Sequence, residues 1–254
     1  MRENQEKEGF EERMAMNIAL ILSGGTGTRM GMDLPKQYVK VEGKPIIFYS
    51  VKALLSHDRI DAVQIVAESV WQEKILNWLW EMDEIDEAAK RKKWKGFSLP
   101  GENRQLSIYH GLRDMASYAK DSDYVFIHDA ARPLLSGKQI TDCLDGAFGH
   151  DGAMPVLPMK DTVYSSTDGR CVGALLNRRE IYAGQAPEVF RFGAYYEANL
   201  RLLPERILEI NGSTEPAILA GLDIAMIPGD EGNFKITTKA DLDRFRDIMK
   251  EKGG

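Results

Sequence analysis

What is scarce in this chain narrows its chemistry before any motif is read. Two cysteines occur, Cys143 and Cys171, too few and too far apart for a disulfide framework or a zinc pattern. The histidines, His57, His110, His128 and His150, lack metal-ligand spacing. No apolar run reaches the roughly 18 residues that a membrane span needs, and residues 1–16 contain nothing like the apolar segment of a signal peptide. With a net charge of −6 the chain has no broad basic surface for duplex nucleic acid. Internal repeats and low-complexity tracts are also missing. These absences predict a cytoplasmic protein without a membrane or nucleic-acid partner, in which any anionic ligand must meet local cations.

What is present, 43% hydrophobic and 28% charged residues over 254 positions, suits one α/β domain with embellishments. A polar leader over 1–16 is expected to fray, and a single domain to span 17–250. Strand patterns at Ile18 to Leu22, Ala62 to Ala67 and Tyr124 to His128 alternate with helix patterns at Ile46 to Ser56, Trp71 to Met82 and Gln105 to Ala116. That alternation predicts a doubly wound, mostly parallel, Rossmann-like sheet. An acidic cluster (Glu81, Asp83, Glu84, Asp86, Glu87) runs into a basic one (Lys90, Arg91, Lys92, Lys93, Lys95), which reads as a solvated helix carrying both signs. Trp71, Trp78 and Trp80 read as packing residues. From 152 to 190 short β-like runs, with a turn at Thr167-Asp-Gly169, predict a protruding β-arm. Helix returns at Phe192 to Leu203 and Ala217 to Ala220, followed by a strand at Ile224 to Ile227 and a helix at Lys239 to Lys250.

The most informative stretch is Leu20-Ile-Leu-Ser-Gly-Gly-Thr-Gly-Thr-Arg-Met-Gly31 with Pro35-Lys-Gln-Tyr38. A buried strand breaks into glycines whose missing Cβ lets backbone N–H groups approach a polyphosphate, and Arg29 and Lys36 supply cations. A P-loop would need a Lys-Ser/Thr pair that is absent here. A dinucleotide fingerprint would need a small residue where Met30 stands and an acidic residue near Ser50. The spacing matches instead a nucleotidyltransferase signature, Gly-Gly-x-Gly-x-Arg-Met-Gly followed by Pro-Lys.

Other motifs fall at predicted strand ends, where open α/β sheets bind ligands. In Gly101-Glu-Asn-Arg-Gln-Leu-Ser107, Glu102 or Ser107 could hydrogen-bond a base, and Arg104 supplies charge or holds the loop. In His128-Asp-Ala-Ala-Arg-Pro133, Asp129 could coordinate Mg²⁺ or bond a sugar hydroxyl; Arg132 could clasp a phosphate or pair locally with Asp129.

In their order, with Lys160-Asp-Thr162 and Asn233-Phe-Lys-Ile-Thr237, these motifs resemble the cytidylyltransferases that join CTP to an alditol phosphate. Their family includes the 2-C-methyl-D-erythritol 4-phosphate and ribitol-5-phosphate enzymes. The resemblance implies that Ser23, Gly24, Gly25, Thr26 and Gly27 wrap the nucleotide, while Gly101, Glu102 and Ser107 read cytosine. It also implies that Arg29 and Lys36 hold the triphosphate in the transition state. Asp129, Arg132, Thr162 and Arg178 become acceptor residues, and Lys235 positions the attacking phosphate. Arg29, Lys36, Arg178 and Lys235 are thus the catalytic candidates, with Mg²⁺ on the triphosphate and Asp129 as its candidate protein ligand. A homodimer exchanging arms is implied as well.

Tyr182-Ala-Gly-Gln-Ala-Pro187 and the pair Gly24-Gly25 lean toward ribitol 5-phosphate as acceptor, with methylerythritol 4-phosphate as the alternative. Ala186 and Thr214 depart from the family, standing where it has a threonine and an acidic residue. A non-catalytic nucleotide-binding protein and a transferase specific for UTP stay open as readings, as does the pathway, isoprenoid precursor or wall polymer.

Overall fold

The computed structural model describes residues 15–25 and 34–253. The predicted nucleotide-loop residues Thr26, Gly27 and Arg29, and nearly all of the expected leader, lie outside the described residues.

The chain opens with β1 (Asn17–Leu22), then β2 (Lys40–Val41), β3 (Lys44–Pro45) and α1 (Ile46–Leu55). Next come β4 (Ala62–Val66), α2 (Ser69–Trp80), α3 (Glu87–Lys93), β5 (Trp94–Ser98), α4 (Arg104–Met115) and β6 (Tyr124–Asp129). β1 lies between β4 and β6 and is parallel to both, and β5 extends the sheet beyond β4. The sheet therefore grows outward from β1 in both directions, the doubly wound pattern that the sequence predicted.

Alternation along the strands explains why this sheet is covered on both faces. Ala19, Ile21, Val63, Ile65, Tyr124 and Phe126 point into one apolar core, with α1 and α2. Ile18, Leu20, Ala62, Val66, Val125 and Ile127 point into the other, where Ile108, Leu112 and Met115 of α4 pack. Strands buried on both faces carry near-continuous apolar runs, as these do. Each such Leu, Ile or Phe contributes roughly 1.5–3 kcal/mol on burial.

The second half departs from the expected arm. A helix that the sequence reading missed, α5 (Gly137–Gly146), precedes β7 (Gly152–Pro158), which belongs to the main sheet. The small hairpin of β8 (Tyr164–Ser165) and β9 (Ala174–Leu175) follows, then β10 (Tyr182–Gly184) and β11 (Glu188–Arg191). β10 and β11 pair with β7 in registers two residues apart, so they form one antiparallel strand interrupted around Gln185-Ala186-Pro187. β11 also pairs with β6 and joins the two halves of the sheet. What leaves the sheet is thus 159–181, not all of 152–190. Runs of short strands look alike in sequence whether they project or insert, and only their pairing separates the cases. The chain closes with α6 (Phe192–Leu200), α7 (Glu215–Leu219), β12 (Ile224–Pro228) parallel to β7, and α8 (Lys239–Gly253). Among the described residues no helix is long and apolar enough to cross a membrane.

The mixed-charge cluster is only partly a solvated helix. Asp86 caps α3 by accepting from Ala89 N at 2.9 Å. Lys90 of that helix is 2% exposed, and its Nζ donates to Met82 O at 2.7 Å and Trp80 O at 3.5 Å. Lys93 Nζ donates to Leu55 O at 2.9 Å and His57 O at 2.8 Å. These ammonium groups satisfy the carbonyls left over at the ends of α2 and α1 and sit at the negative ends of those helix dipoles. Lys90→Ala is expected to lower the unfolding free energy by about 2 kcal/mol, the cost of stranding buried carbonyls. Lys92→Ala on the exposed side should stay within about 0.5 kcal/mol of the parent. Denaturant melts of the two variants compare them, and equal effects would make the cluster a solvated face.

Candidate active site

The carboxyl ends of β1, β4, β5 and β6 open into one cleft of about 530 Å³. Leu22, Gly24 and Gly25 line it from β1, Glu68 from β4, Gly101 to Arg104 from the turn after β5, and Asp129 and Ala131 from β6. Lys36, Gln37, Ser107, Lys235 and Thr237 complete its walls. Parallel pairing continues past the strand ends, with Ser23 N donating to Val66 O at 2.9 Å and Ala130 N to Leu22 O at 3.0 Å.

Close approach dictates one glycine here. A Cβ on Gly24 would lie 2.5 Å from Pro100 Cβ, so the turns after β1 and β5 come together only without a side chain at that position. Among the described residues, a Cβ on Gly25 would meet nothing within 4 Å, and Gly25 lines the cleft. Gln37 secures the same turn by donating from Nε2 to Ser23 O at 2.8 Å and Gly25 O at 2.7 Å. Ser23 Oγ donates to Tyr38 Oη at 2.9 Å inside the protein. The Pro35-Lys-Gln-Tyr38 motif therefore supplies one cleft lysine and two residues that hold the glycine turn.

Asp129 is the electrostatic centre. Its Oδ1 accepts from Arg104 Nε at 3.2 Å, and Arg104 Nη2 is also 3.2 Å away. Its Oδ2 lies 3.0 Å from Lys235 Nζ and 3.6 Å from Arg132 Nε. Burial by itself would raise the carboxyl pKa, but Arg104, Lys235 and Arg132 outweigh it and hold the group far below the usual carboxylate range. Arg104 Nη2 also reaches Glu188 Oε2 at 3.6 Å, and Ser213 Oγ donates a short hydrogen bond to that oxygen. Burial raises the Glu188 pKa against the opposing pull of Arg104. The Lys235 segment is pinned beside Asp129 by Ile236 N donating to Ala131 O at 2.8 Å and by Arg132 Nη1 donating to Asn233 O at 2.8 Å. Phosphate-sized anions entering this cleft would meet Lys36, Lys235 and glycine backbone together.

The family model for 2-C-methyl-D-erythritol 4-phosphate cytidylyltransferase, IspD, matches residues 17–251. The chain belongs to the IspD family. It is 34% identical to the Thermotoga neapolitana 2-C-methyl-D-erythritol 4-phosphate cytidylyltransferase, over 93% of this chain and 98% of that one. It is 26% identical to the Lacticaseibacillus paracasei ribitol-5-phosphate cytidylyltransferase, over 93% and 99% of the two chains. In fold it matches a 4-diphosphocytidyl-2C-methyl-D-erythritol synthase from Anaerococcus prevotii with a TM-score of 0.77 at 19% identity, covering 93% of this chain and 99% of that one. The chain is therefore an enzyme, a nucleotidyltransferase of the cytidylyltransferase type.

Within this IspD-family cleft the sequence-predicted residues divide. Gly24, Gly25, Lys36, Gly101, Glu102, Arg104, Ser107, Asp129 and Lys235 all line it. Ser107 Oγ is already engaged, accepting from Gly101 N at 2.9 Å and donating to Asn103 O at 2.8 Å, so it shapes the turn. Asn103 caps α4 by accepting from Leu106 N at 2.7 Å. The Ser23 hydroxyl is turned inward, and Arg132 sits behind Asp129 as the local ion pair that the sequence left open. Thr162 and Arg178 lie on the projecting segment and do not line the cleft; Arg178 Nη1 donates to Lys160 O at 2.8 Å. Ala186 is buried, its carbonyl accepting from Asn233 Nδ2 at 2.9 Å, and Thr214 is buried with its hydroxyl 3.2 Å from Met154 Sδ. Neither departure from the family lines the cleft. Gln37 and Tyr38 stood in the Pro35-Lys-Gln-Tyr38 motif but were given no role of their own, and Glu188 and Ser213 were not singled out by the sequence reading. The available signal for Glu188 was an acidic residue at the same strand parity as the core residue Phe190.

His128, next to Asp129, is fully buried, and burial pushes its pKa down to about 4. Its Nε2 lies 3.1 Å from Arg132 O, so in the neutral ring that nitrogen carries the proton and donates. The unfolded chain binds a proton near pH 6.5 while the folded one does not, so stability is full above about pH 6.5 and falls as pH drops toward 4. The loss attributable to His128 should reach about 3 kcal/mol, and His128→Gln should remove most of this slope. Urea melts between about pH 7 and pH 4.5 measure it, and a level profile in the parent would contradict the buried neutral ring.

Proposed function

We propose that this enzyme transfers CMP from CTP to the phosphate of a small alditol phosphate, 2-C-methyl-D-erythritol 4-phosphate in the first instance, releasing pyrophosphate. The observation that carries the reading is the convergence of the Gly24-Gly25 turn, Lys36 and Lys235 on one cleft at the strand ends. An acceptor phosphate oxygen attacks the α-phosphorus of CTP, a new P–O–P linkage forms, and the bond to the β-phosphate breaks. The acceptor is already anionic and requires no general base, so the protein's work is alignment and charge neutralisation. Lys36 faces the charge that develops on the triphosphate, a role that the resemblance also assigns to Arg29; Lys235 holds the incoming phosphate. The Gly101-Glu102 turn is the surface offered to the cytosine.

Asp129 is a poor metal ligand in this setting. Among the described residues no group of three or more His, Cys, Asp or Glu side chains could hold a metal ion, and Asp129 already faces three cations. The described residues therefore do not fit a protein-held Mg²⁺. A magnesium ion bound to the triphosphate would enter as part of the substrate.

Two observations favour the methylerythritol acceptor over ribitol 5-phosphate. The Thermotoga relative stands at 34% identity against 26% for the ribitol enzyme. Moreover Gln185, part of the run that leaned toward ribitol, spends its amide on the backbone of Asp230, donating to Asp230 O at 3.0 Å and accepting from Asp230 N at 2.9 Å. That run thus serves loop packing within the chain. The projecting segment exposes Tyr164, Val172 and Leu175, apolar side chains that suit contact with a second copy. Such a homodimer would carry Thr162 and Arg178 to the partner's cleft, where they would meet the acceptor.

Pyrophosphate release with CTP and each acceptor tests the assignment. Turnover should be at least about tenfold faster with methylerythritol 4-phosphate, a difference of about 1.4 kcal/mol in the barrier. Preference for ribitol 5-phosphate would overturn the acceptor, and no release with either would overturn the reaction. Lys36→Ala should lower kcat by about 10²–10³ while leaving the unfolding midpoint in place, because it removes charge stabilisation of the transition state. Parent-like turnover in that variant would remove Lys36 from the chemistry.

A further inference from the structure

Glu188 was singled out by no motif, yet it is a buried carboxylate one guanidinium away from the catalytic cleft. It sits on β11 opposite Ile127 of β6, so its backbone is fixed two residues from Asp129. Strand parity turns it to the same side as Phe190, toward α4 and α6. There Arg104 Nη2 lies 3.6 Å from Glu188 Oε2 and 3.2 Å from Asp129 Oδ1, so one nitrogen is divided between two acids.

Glu188 is itself held from behind. Ser213 Oγ donates to its Oε2, and Ser213 O accepts from Tyr195 Oη at 2.6 Å. Gln105 Nε2 donates to Tyr195 Oη at 3.1 Å and Asn199 Oδ1 at 2.5 Å, and Tyr195 stacks on Phe190 with ring centroids 4.0 Å apart. Each of these side chains other than Arg104 is buried. The arrangement is costly to assemble unless every member is satisfied, and a satisfied network of this kind rigidifies what it touches.

We propose that Glu188 is a positioning residue for nucleotidyl transfer: by sharing Arg104 with Asp129, it fixes the Arg104 guanidinium and leaves the second Asp129 oxygen to Lys235 and Arg132. The cluster sets three cations, Arg104, Arg132 and Lys235, against Asp129 and Glu188, and so keeps a net positive field for an anionic substrate. Neutralising Glu188 adds to that positive field but releases one anchor of Arg104, which then collapses onto Asp129. Asp129 draws in its neighbours, and Lys235 is displaced from the line of attack. Binding of CTP is preserved while the aligned state is depopulated, and this separates positioning from binding. This role rests on the transfer reaction proposed above.

Glu188→Gln keeps the shape and the ability to accept from Ser213 while removing the charge. Its kcat should fall at least about tenfold with the KM for CTP changed less than about threefold. Ser213→Ala, which frees the carboxylate without neutralising it, should shift kcat in the same direction by a smaller factor. A second readout does not depend on turnover. In ¹⁵N-arginine-labelled protein the Arg104 Nε–Hε signal, assigned with Arg104→Lys, should be protected from solvent exchange in the parent, where Nε donates to Asp129, and should move in chemical shift in Glu188→Gln as the guanidinium turns further onto Asp129. Parent-like kcat in both variants, or an unchanged Arg104 signal, would overturn the proposal. If Glu188→Gln does not fold, Ser213→Ala alone decides, and parent values there overturn it. Should the parent fail to turn over either acceptor, the reaction assignment fails by itself, and the arginine signal still reports on Glu188.

Discussion

The cleft is organised around one buried carboxylate that faces three cations. Taking Asp129 out of water costs several kcal/mol. Each opposing charge at about 4 Å returns a gross attraction on the order of 4 kcal/mol at an effective dielectric of about 20. Three such partners exceed one desolvation penalty, which is why Asp129 stays ionised although buried. The same balance keeps the cations where an anionic substrate needs them. Without Asp129, Arg104, Arg132 and Lys235 would repel one another across a few ångströms. The carboxylate thus gathers positive charge at the edge of the cleft, as the transfer proposed for this enzyme requires.

Apolar packing sets where those cations stand. Lys36 and Lys235 come from segments some two hundred residues apart, and a separate small core joins the chain around each. Val39, Val41 and Ile46 pack there against Ile236, Leu242 and Phe245. Tyr49 meets Phe245 edge to face at 5.2 Å and donates to Val41 O at 2.8 Å. On the far side of the site, β11 inserts antiparallel to β6 and brings Glu188 to Arg104. Two unlike devices, a minor hydrophobic cluster and an antiparallel strand in a parallel sheet, therefore place the charges on either side of Asp129.

How much of this could be read in advance varies from residue to residue. Lys36 was legible because a cation beside a glycine turn has few roles, and Lys235 only through the family resemblance; both line the cleft. Ser107 and Arg132 were harder to read. A hydroxyl or a guanidinium serves equally well in a ligand contact or an internal bond, and the internal bond is what each makes here. Lys90 was misread, since its burial follows from the end of α2 lying near α3, which no local pattern records. The arm was drawn too long for a similar reason, short strands carrying no mark of their partners.

By itself the sequence determined the alternating elements of the first half, the two-faced burial of β1, β4 and β6, and the strand-end position of the glycine turn, the Gly101 turn and Asp129. Those features follow from periodicity and from backbone chemistry that acts over a few residues. Tertiary structure alone decided which polar groups are spent inside the protein and which face the cleft. Gln37 holds the glycine turn, Gln185 holds Asp230, and Glu188 divides Arg104 with Asp129. A side-chain hydrogen bond is chosen by what lies within about 3 Å, and that neighbour commonly comes from a distant part of the chain.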